Sequence, residues 1–114
     1  MRLRLGIPGQ RPFDNRGVRH NPEIRQDFKD VRGARKEVSD SRTELRKDSA
    51  ELRNDRLELR RDLRNGASKA EILKDRQEIR GDLKEIHGDR VDLRNDQAKL
   101  DAARRELKSD IRKR

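Results

Sequence analysis

Cysteine, tryptophan and tyrosine are absent from this chain of 114 residues, and Met1 is its one methionine. The absence of Cys excludes disulfide and thiolate chemistry, and two Phe residues are the only members of the Phe, Trp and Tyr group. Hydrophobic residues make up 28% of the chain and charged residues 48%, which is too little apolar surface to enclose a substrate pocket. We therefore expect one non-enzymatic domain with no cofactor and no small-molecule substrate.

Long apolar runs are missing as well, so no membrane span is expected. The first six residues lack the apolar stretch of a secretory signal. We predict a cytoplasmic protein, or a periplasmic or extracellular one if a leader was removed before this numbering. His20 and His87 are far apart in sequence and have no Cys partner, so no metal site is predicted.

Residues 1–20 differ from the rest of the chain in composition. They carry five Arg against one Asp, together with Pro and Gly, and show no helical periodicity. This composition predicts a disordered basic N-terminal arm, which is either a solvated terminus or an arm that binds phosphates. The arginines of the arm are Arg2, Arg4, Arg11, Arg16 and Arg19.

Capping signals divide residues 21–114 into two helices. Asn21 followed by Pro22 predicts a helix start, because Asn caps free backbone N–H groups and Pro is tolerated in the first turn. An Asn-Gly pair ending at Gly66 favours left-handed backbone angles, and Ser68 to Glu71 forms an S-x-x-E capping box. The predicted elements are a helix over 22–64, a turn over 65–68 and a helix over 69–112.

Large apolar residues recur at every seventh position in both segments, which is the heptad spacing of coiled coils. The two stripes are Ile24, Val31, Val38, Leu45, Leu52 and Leu59, and Ile72, Ile79, Ile86, Leu93, Leu100 and Leu107. When the chain folds back at the turn, the stripes match layer for layer. The predicted fold is all-α: an antiparallel, coiled-coil-like two-helix hairpin. A parallel coiled coil with an opened turn stays an alternative.

Charged residues keep fixed places in a heptad that reads roughly Leu-Arg-x-Asp-x-x-Glu. On an ideal helix, Asp and Glu lie on one side of the stripe and Arg on the other, so an antiparallel pair gives a two-faced ribbon. The predicted acidic face is Asp48, Glu51, Asp55, Glu58, Glu71, Asp75, Glu78, Asp82, Glu85 and Asp89. The predicted basic face is Arg42, Arg46, Arg53, Arg56, Arg60, Arg76, Arg80, Arg90 and Arg94. Both faces are expected to be solvated, without a metal or acid–base site.

The charge pattern favours an interaction function. Like charges four residues apart disfavour an isolated salt-bridged helix, and some opposite charges are predicted to pair across the seam, including Asp55 with Arg76 and Asp75 with Arg56. The remainder is available to partners. We predict a structural protein that self-associates as a homo-oligomer through its acidic and basic faces. The alternative is binding of nucleic acid or another polyanion by the basic face and the arm. Other helical adaptor or chaperone roles stay open.

Overall fold

A computed structural model describes residues 21–113 and contains two α-helices, α1 at Pro22–Arg64 and α2 at Lys69–Arg112. The helices pack against each other in antiparallel directions, which confirms the predicted all-α helical hairpin. The described residues contain no β-strand. The predicted basic arm at residues 1–20 lies outside the described residues.

Both helices begin at a side-chain cap. The Asn21 Oδ1 atom accepts hydrogen bonds from the backbone N–H groups of Glu23 at 2.9 Å and Ile24 at 3.2 Å. At the start of α2, the Ser68 Oγ atom accepts from the Glu71 N–H at 3.2 Å, and Glu71 Oε1 accepts from the Ser68 N–H at 3.4 Å. These bonds satisfy donors that the first turn of a helix leaves free, which fixes where each helix starts.

The turn between the helices depends on a left-handed glycine. Gly66 has a φ angle of 70°, which an L side chain rarely adopts. The Ala67 N–H donates to the Asp62 carbonyl at 2.9 Å, and the Gly66 N–H donates to the Leu63 carbonyl at 3.4 Å. This is the hydrogen-bond pattern of a Schellman motif. It provides donors for carbonyl groups in the last turn of α1 and lets the chain reverse direction.

The described chain divides into two compact units, each of which holds part of both helices. The turn unit is Ala34–Leu100, and the end unit comprises residues 21–33 and 101–113. Buried apolar side chains follow the predicted stripe in both. They are Val38, Leu52, Ile86 and Leu100 in the turn unit, and Ile24 and Val31 in the end unit. The remaining stripe residues are half-buried, so one row of apolar side chains on each helix marks the seam.

Candidate functional site

A second row of seam residues lies three positions after the apolar stripe, and in the turn unit most of this row is aspartate. Asp75 and Asp82 are each 6% exposed. The others are half-buried, and together we call these six residues the acidic seam: Asp48, Asp55, Asp62, Asp75, Asp82 and Asp89. A residue three positions along an α-helix lies about 60° from the stripe, which is the second inward position of a heptad. The prediction of a fully solvated acidic face is therefore wrong at Asp75 and Asp82, which are buried because they occupy this inward position.

The aspartates of the acidic seam face one another in pairs across the two helices. Their carboxyl groups lie close enough to share a hydrogen bond when one of the two is protonated, in the pairs Asp48 with Asp89, Asp55 with Asp82, and Asp62 with Asp75. Each step of seven residues along α1 matches a step of seven back along α2, as an antiparallel register requires. At the next position of the same row, the Ser41 hydroxyl donates to Asp96 Oδ2. The end unit has its own pair, Asp27 with Asp110.

Each pair needs one proton, because two ionised carboxylates have no hydrogen to donate to each other. Burial, the hydrogen bond with Asp55 and the negative charges of Asp55, Glu51 and Glu85 raise the pKa of Asp82 to about 7. The hydrogen bond with Asp62, burial and neighbouring carboxylates raise the pKa of Asp75 to about 6. These carboxyl groups therefore titrate well above the ordinary value of 3.8.

Asp89 and Asp27 follow the same physical rule in the two units. The hydrogen bond with Asp48 is the largest cause that raises the pKa of Asp89 to about 6, followed by burial and the charge of Asp48. In the end unit, the hydrogen bond with Asp110 and burial raise the pKa of Asp27 to about 6. The raised pKa recurs in pair after pair because the paired aspartates share one heptad position, which brings their carboxyl groups together in each layer.

Once ionised, the seam has buried oxygen atoms without hydrogen-bond donors. The Oδ2 atoms of Asp75, Asp82 and Asp89 are buried and have no donor in the described part of the chain. An unpaired buried carboxylate is costly because it loses its water without gaining a partner. The acidic seam therefore favours anything that brings positive charge to these oxygens: a proton, a metal cation or the side chain of another molecule.

Exposed glutamates extend the acidic seam towards solvent. One carboxylate oxygen from each of Glu51, Asp82 and Glu85 lies within 4.8 Å of the other two, and we call this group cluster A. Glu58, Asp75 and Glu78 meet the same criterion and form cluster B. The aspartate of each cluster is buried and the glutamates are exposed, so each cluster has a closed inner side and an open outer side.

The residues of the predicted acidic face thus occupy two layers, one in the seam and one at its exposed border. Its five aspartates lie in the seam, four of its glutamates border the seam, and Glu71 is exposed at the start of α2 in the capping box. Sequence reasoning did not assign Asp62, which pairs with Asp75, to the acidic face. It also missed Glu44 and Asp92, whose negative charges help to raise the pKa of Asp89. The missed signal was the heptad position, which Asp62 shares with the other five aspartates.

The predicted basic face is exposed at all nine arginines. Within residues 21–113, none of these nine forms an ion pair, whereas Lys36 pairs with Asp40 at 3.5 Å and Lys113 with Asp110 at 3.6 Å. The predicted pairs across the seam are therefore wrong, including Asp55 with Arg76 and Asp75 with Arg56. The aspartates turn into the seam towards each other, while arginines four residues after the stripe lie on its other side.

Comparison of the chain with protein-family models, with curated proteins and with solved structures gives no match. Neither α1 nor α2 contains an apolar stretch that would cross a membrane, a result that applies to residues 21–113.

Proposed function

We propose that this protein is a non-enzymatic structural or interaction protein, whose helical hairpin self-associates through its acidic and basic faces. One observation carries the proposal: opposite charges are separated on the hairpin and do not neutralise each other. The nine arginines of the basic face form no ion pair in the described part of the chain, and the acidic seam has buried carboxylate oxygens without donors.

A second copy of the chain supplies what each copy lacks. Guanidinium groups bind carboxylates with two parallel hydrogen bonds, and they do so best where the carboxylates are partly removed from water. The glutamates of clusters A and B stand at the exposed border of the seam, where the arginines of another copy reach them. Contact between two different faces leaves one face of each copy unused, so the assembly grows in an open manner instead of closing as a dimer.

Sedimentation velocity across a salt titration tests the proposal. From about 0.01 M to about 1 M ionic strength the Debye length falls from about 30 Å to about 3 Å, so contacts between exposed charges weaken. We expect oligomers at low salt in the presence of a chelator, and a monomer of 13.5 kDa at high salt. A monomer at every salt concentration would refute self-association.

Charge reversal identifies the face that makes the contact. The triple variant Arg46→Glu/Arg53→Glu/Arg80→Glu changes three exposed residues of the basic face. We expect it to be monomeric at low salt. The matched control is Lys47→Glu/Lys74→Glu/Lys84→Glu, which makes the same change in net charge at exposed positions outside the basic face. Equal loss of self-association in both variants would show that net charge, and not the basic face, holds the assembly together.

The polyanion alternative has its own outcome in the same experiment. The basic face is exposed and carries no ion pair within residues 21–113, so it is open to phosphates as well as to carboxylates. A chain that stays monomeric at low salt, and gains mass when a short random DNA duplex is added, would replace self-association with nucleic-acid binding. The predicted cytoplasmic location stays a prediction.

A further inference from the structure

The two carboxylate clusters of the turn unit have the composition of cation sites. Each joins three carboxylate oxygens from both helices within 4.8 Å of one another. Hard divalent cations prefer oxygen ligands, and a calcium ion binds them at about 2.3 to 2.6 Å, so oxygens on its opposite sides lie up to about 5 Å apart. The three oxygens of cluster A, and likewise those of cluster B, are therefore close enough together to bind one calcium ion.

Burial provides the second, independent observation. Asp82 and Asp75 are each 6% exposed, and the Oδ2 atom of each is buried without a donor from residues 21–113. One carboxylate oxygen of each of these aspartates also lies within 4.8 Å of the glutamate oxygens of its cluster, so the buried carboxylate borders the place where the ion would lie. The carboxylate oxygens of exposed acidic residues accept hydrogen bonds from water, but a buried carboxylate oxygen lacks this partner.

We propose that cluster A (Glu51, Asp82 and Glu85) and cluster B (Glu58, Asp75 and Glu78) each bind one hard divalent cation of the calcium class. Asp82 and Asp75 form the inner side of the two sites. The exposed glutamates form the outer side, where water completes the coordination shell and the ion enters. Calcium fits better than magnesium, because three separate carboxylates on two helices do not impose the octahedral geometry that magnesium demands.

The ion also links the two helices. In cluster A, Glu51 belongs to α1 while Asp82 and Glu85 belong to α2, and cluster B repeats this arrangement one heptad closer to the turn. A cation that binds the folded hairpin at ligands from both helices stabilises it, since the unfolded chain does not hold these ligands together. Divalent cations thus act as bridges across a seam that otherwise repels itself.

Isothermal titration calorimetry with calcium chloride on the chelator-treated full chain tests the proposal, with magnesium chloride as a second titrant. We expect saturable binding of two calcium ions per chain and weaker magnesium binding. The double variant Glu51→Gln/Glu85→Gln keeps the shape of cluster A and removes two of its charges, so the calcium stoichiometry should fall from two to one. Its helicity, followed by circular dichroism, checks that the hairpin is still folded.

The matched control is Glu37→Gln/Asp101→Asn, which removes the same charge at two exposed positions outside both clusters. This variant should retain two calcium ions per chain. The proposal is overturned if the full chain shows no saturable binding. It is also overturned if the cluster A variant and the control bind calcium equally, because the ions would then form a diffuse counter-ion layer. Both titrations use a salt concentration at which the chain is monomeric, because in the proposed assembly the arginines of another copy would bind the same glutamates and compete with calcium.

Discussion

Replacing one carboxyl pair of the acidic seam by leucine should stabilise the hairpin, although it removes two hydrogen-bonding residues. The variant is Asp55→Leu/Asp82→Leu, which changes the pair with the highest pKa. Within this pair Asp82 is buried, and it lies next to the carboxyl groups of its partner Asp55 and of Glu51 and Glu85. Apolar residues at both inward positions of a heptad are the ordinary composition of a coiled-coil seam. Leucine therefore fits the position, and it needs no donor.

The magnitude follows from the burial of the two positions. Full burial of a leucine side chain contributes about 1.5 to 3 kcal/mol, and the position of Asp82 is 6% exposed while that of Asp55 is half-buried, so the double variant gains about 2 to 4 kcal/mol. In a domain of this size such a gain raises the melting temperature by about 10 to 20 °C. Relief of repulsion between carboxylates adds to the gain, because removing both partners leaves no buried charge unpaired.

Urea denaturation followed by circular dichroism of the helices measures the change, at neutral pH with a chelator. Two protein concentrations roughly tenfold apart separate folding from self-association. The control is Asn54→Leu/Asn95→Leu, which adds two leucines at exposed positions and should change the free energy of unfolding by less than about 0.5 kcal/mol. The reasoning is refuted if the Asp55→Leu/Asp82→Leu variant is less stable than the original chain, or gains no more than the control does.

Four further predictions use the same unfolding measurement. Because the pKa of Asp82 is raised from 3.8 to about 7, the folded chain binds more protons than the unfolded chain between these pH values. Its free energy of unfolding should therefore fall as the pH rises from about 4 to about 7. An increase in the free energy of unfolding over this pH range would contradict the burial of paired carboxyl groups in the acidic seam. Gly66→Ala should cost about 1 to 2 kcal/mol because of the left-handed backbone. Gly81→Ala should instead gain about 0.5 to 1 kcal/mol, since its Cβ would meet nothing within 4 Å, and equal effects at the two glycines would exclude this explanation. Ser68→Ala should cost about 1 kcal/mol through loss of the cap of α2, and an unchanged stability would show that the capping box contributes little.

The hairpin could be predicted from sequence because its determinants are local. Asn21 and Ser68 cap helices through side chains two or three residues away from their bonding partners, and Gly66 sets the backbone of the turn by its own conformation. The apolar stripe adds a spacing of seven that needs no knowledge of the partner helix. Signals of this kind are readable along the chain before any packing is known.

The acidic seam was not predicted, because its aspartates were assigned to solvent by their charge and not by their heptad position. Coiled-coil geometry makes the residue three places after the stripe an inward one, and Asp55, Asp62, Asp75 and Asp82 all occupy that place. The sequence does not show that the two aspartates of a pair differ in burial. Asp75 and Asp82 on α2 are buried while Asp62 and Asp55 on α1 are half-buried, and this depends on how the two helices pack.

The most direct test of the paired carboxyl groups is an NMR titration of the aspartate side-chain carboxyl carbons, run with a chelator and at a salt concentration that keeps the chain monomeric. Asp82 should titrate near pH 7, and Asp75 and Asp89 near pH 6. In the Asp55→Leu variant the titration of Asp82 should change, because its hydrogen-bonding partner is gone. If Asp75, Asp82 and Asp89 all titrate near the ordinary value of 3.8, they face water and the acidic seam does not exist.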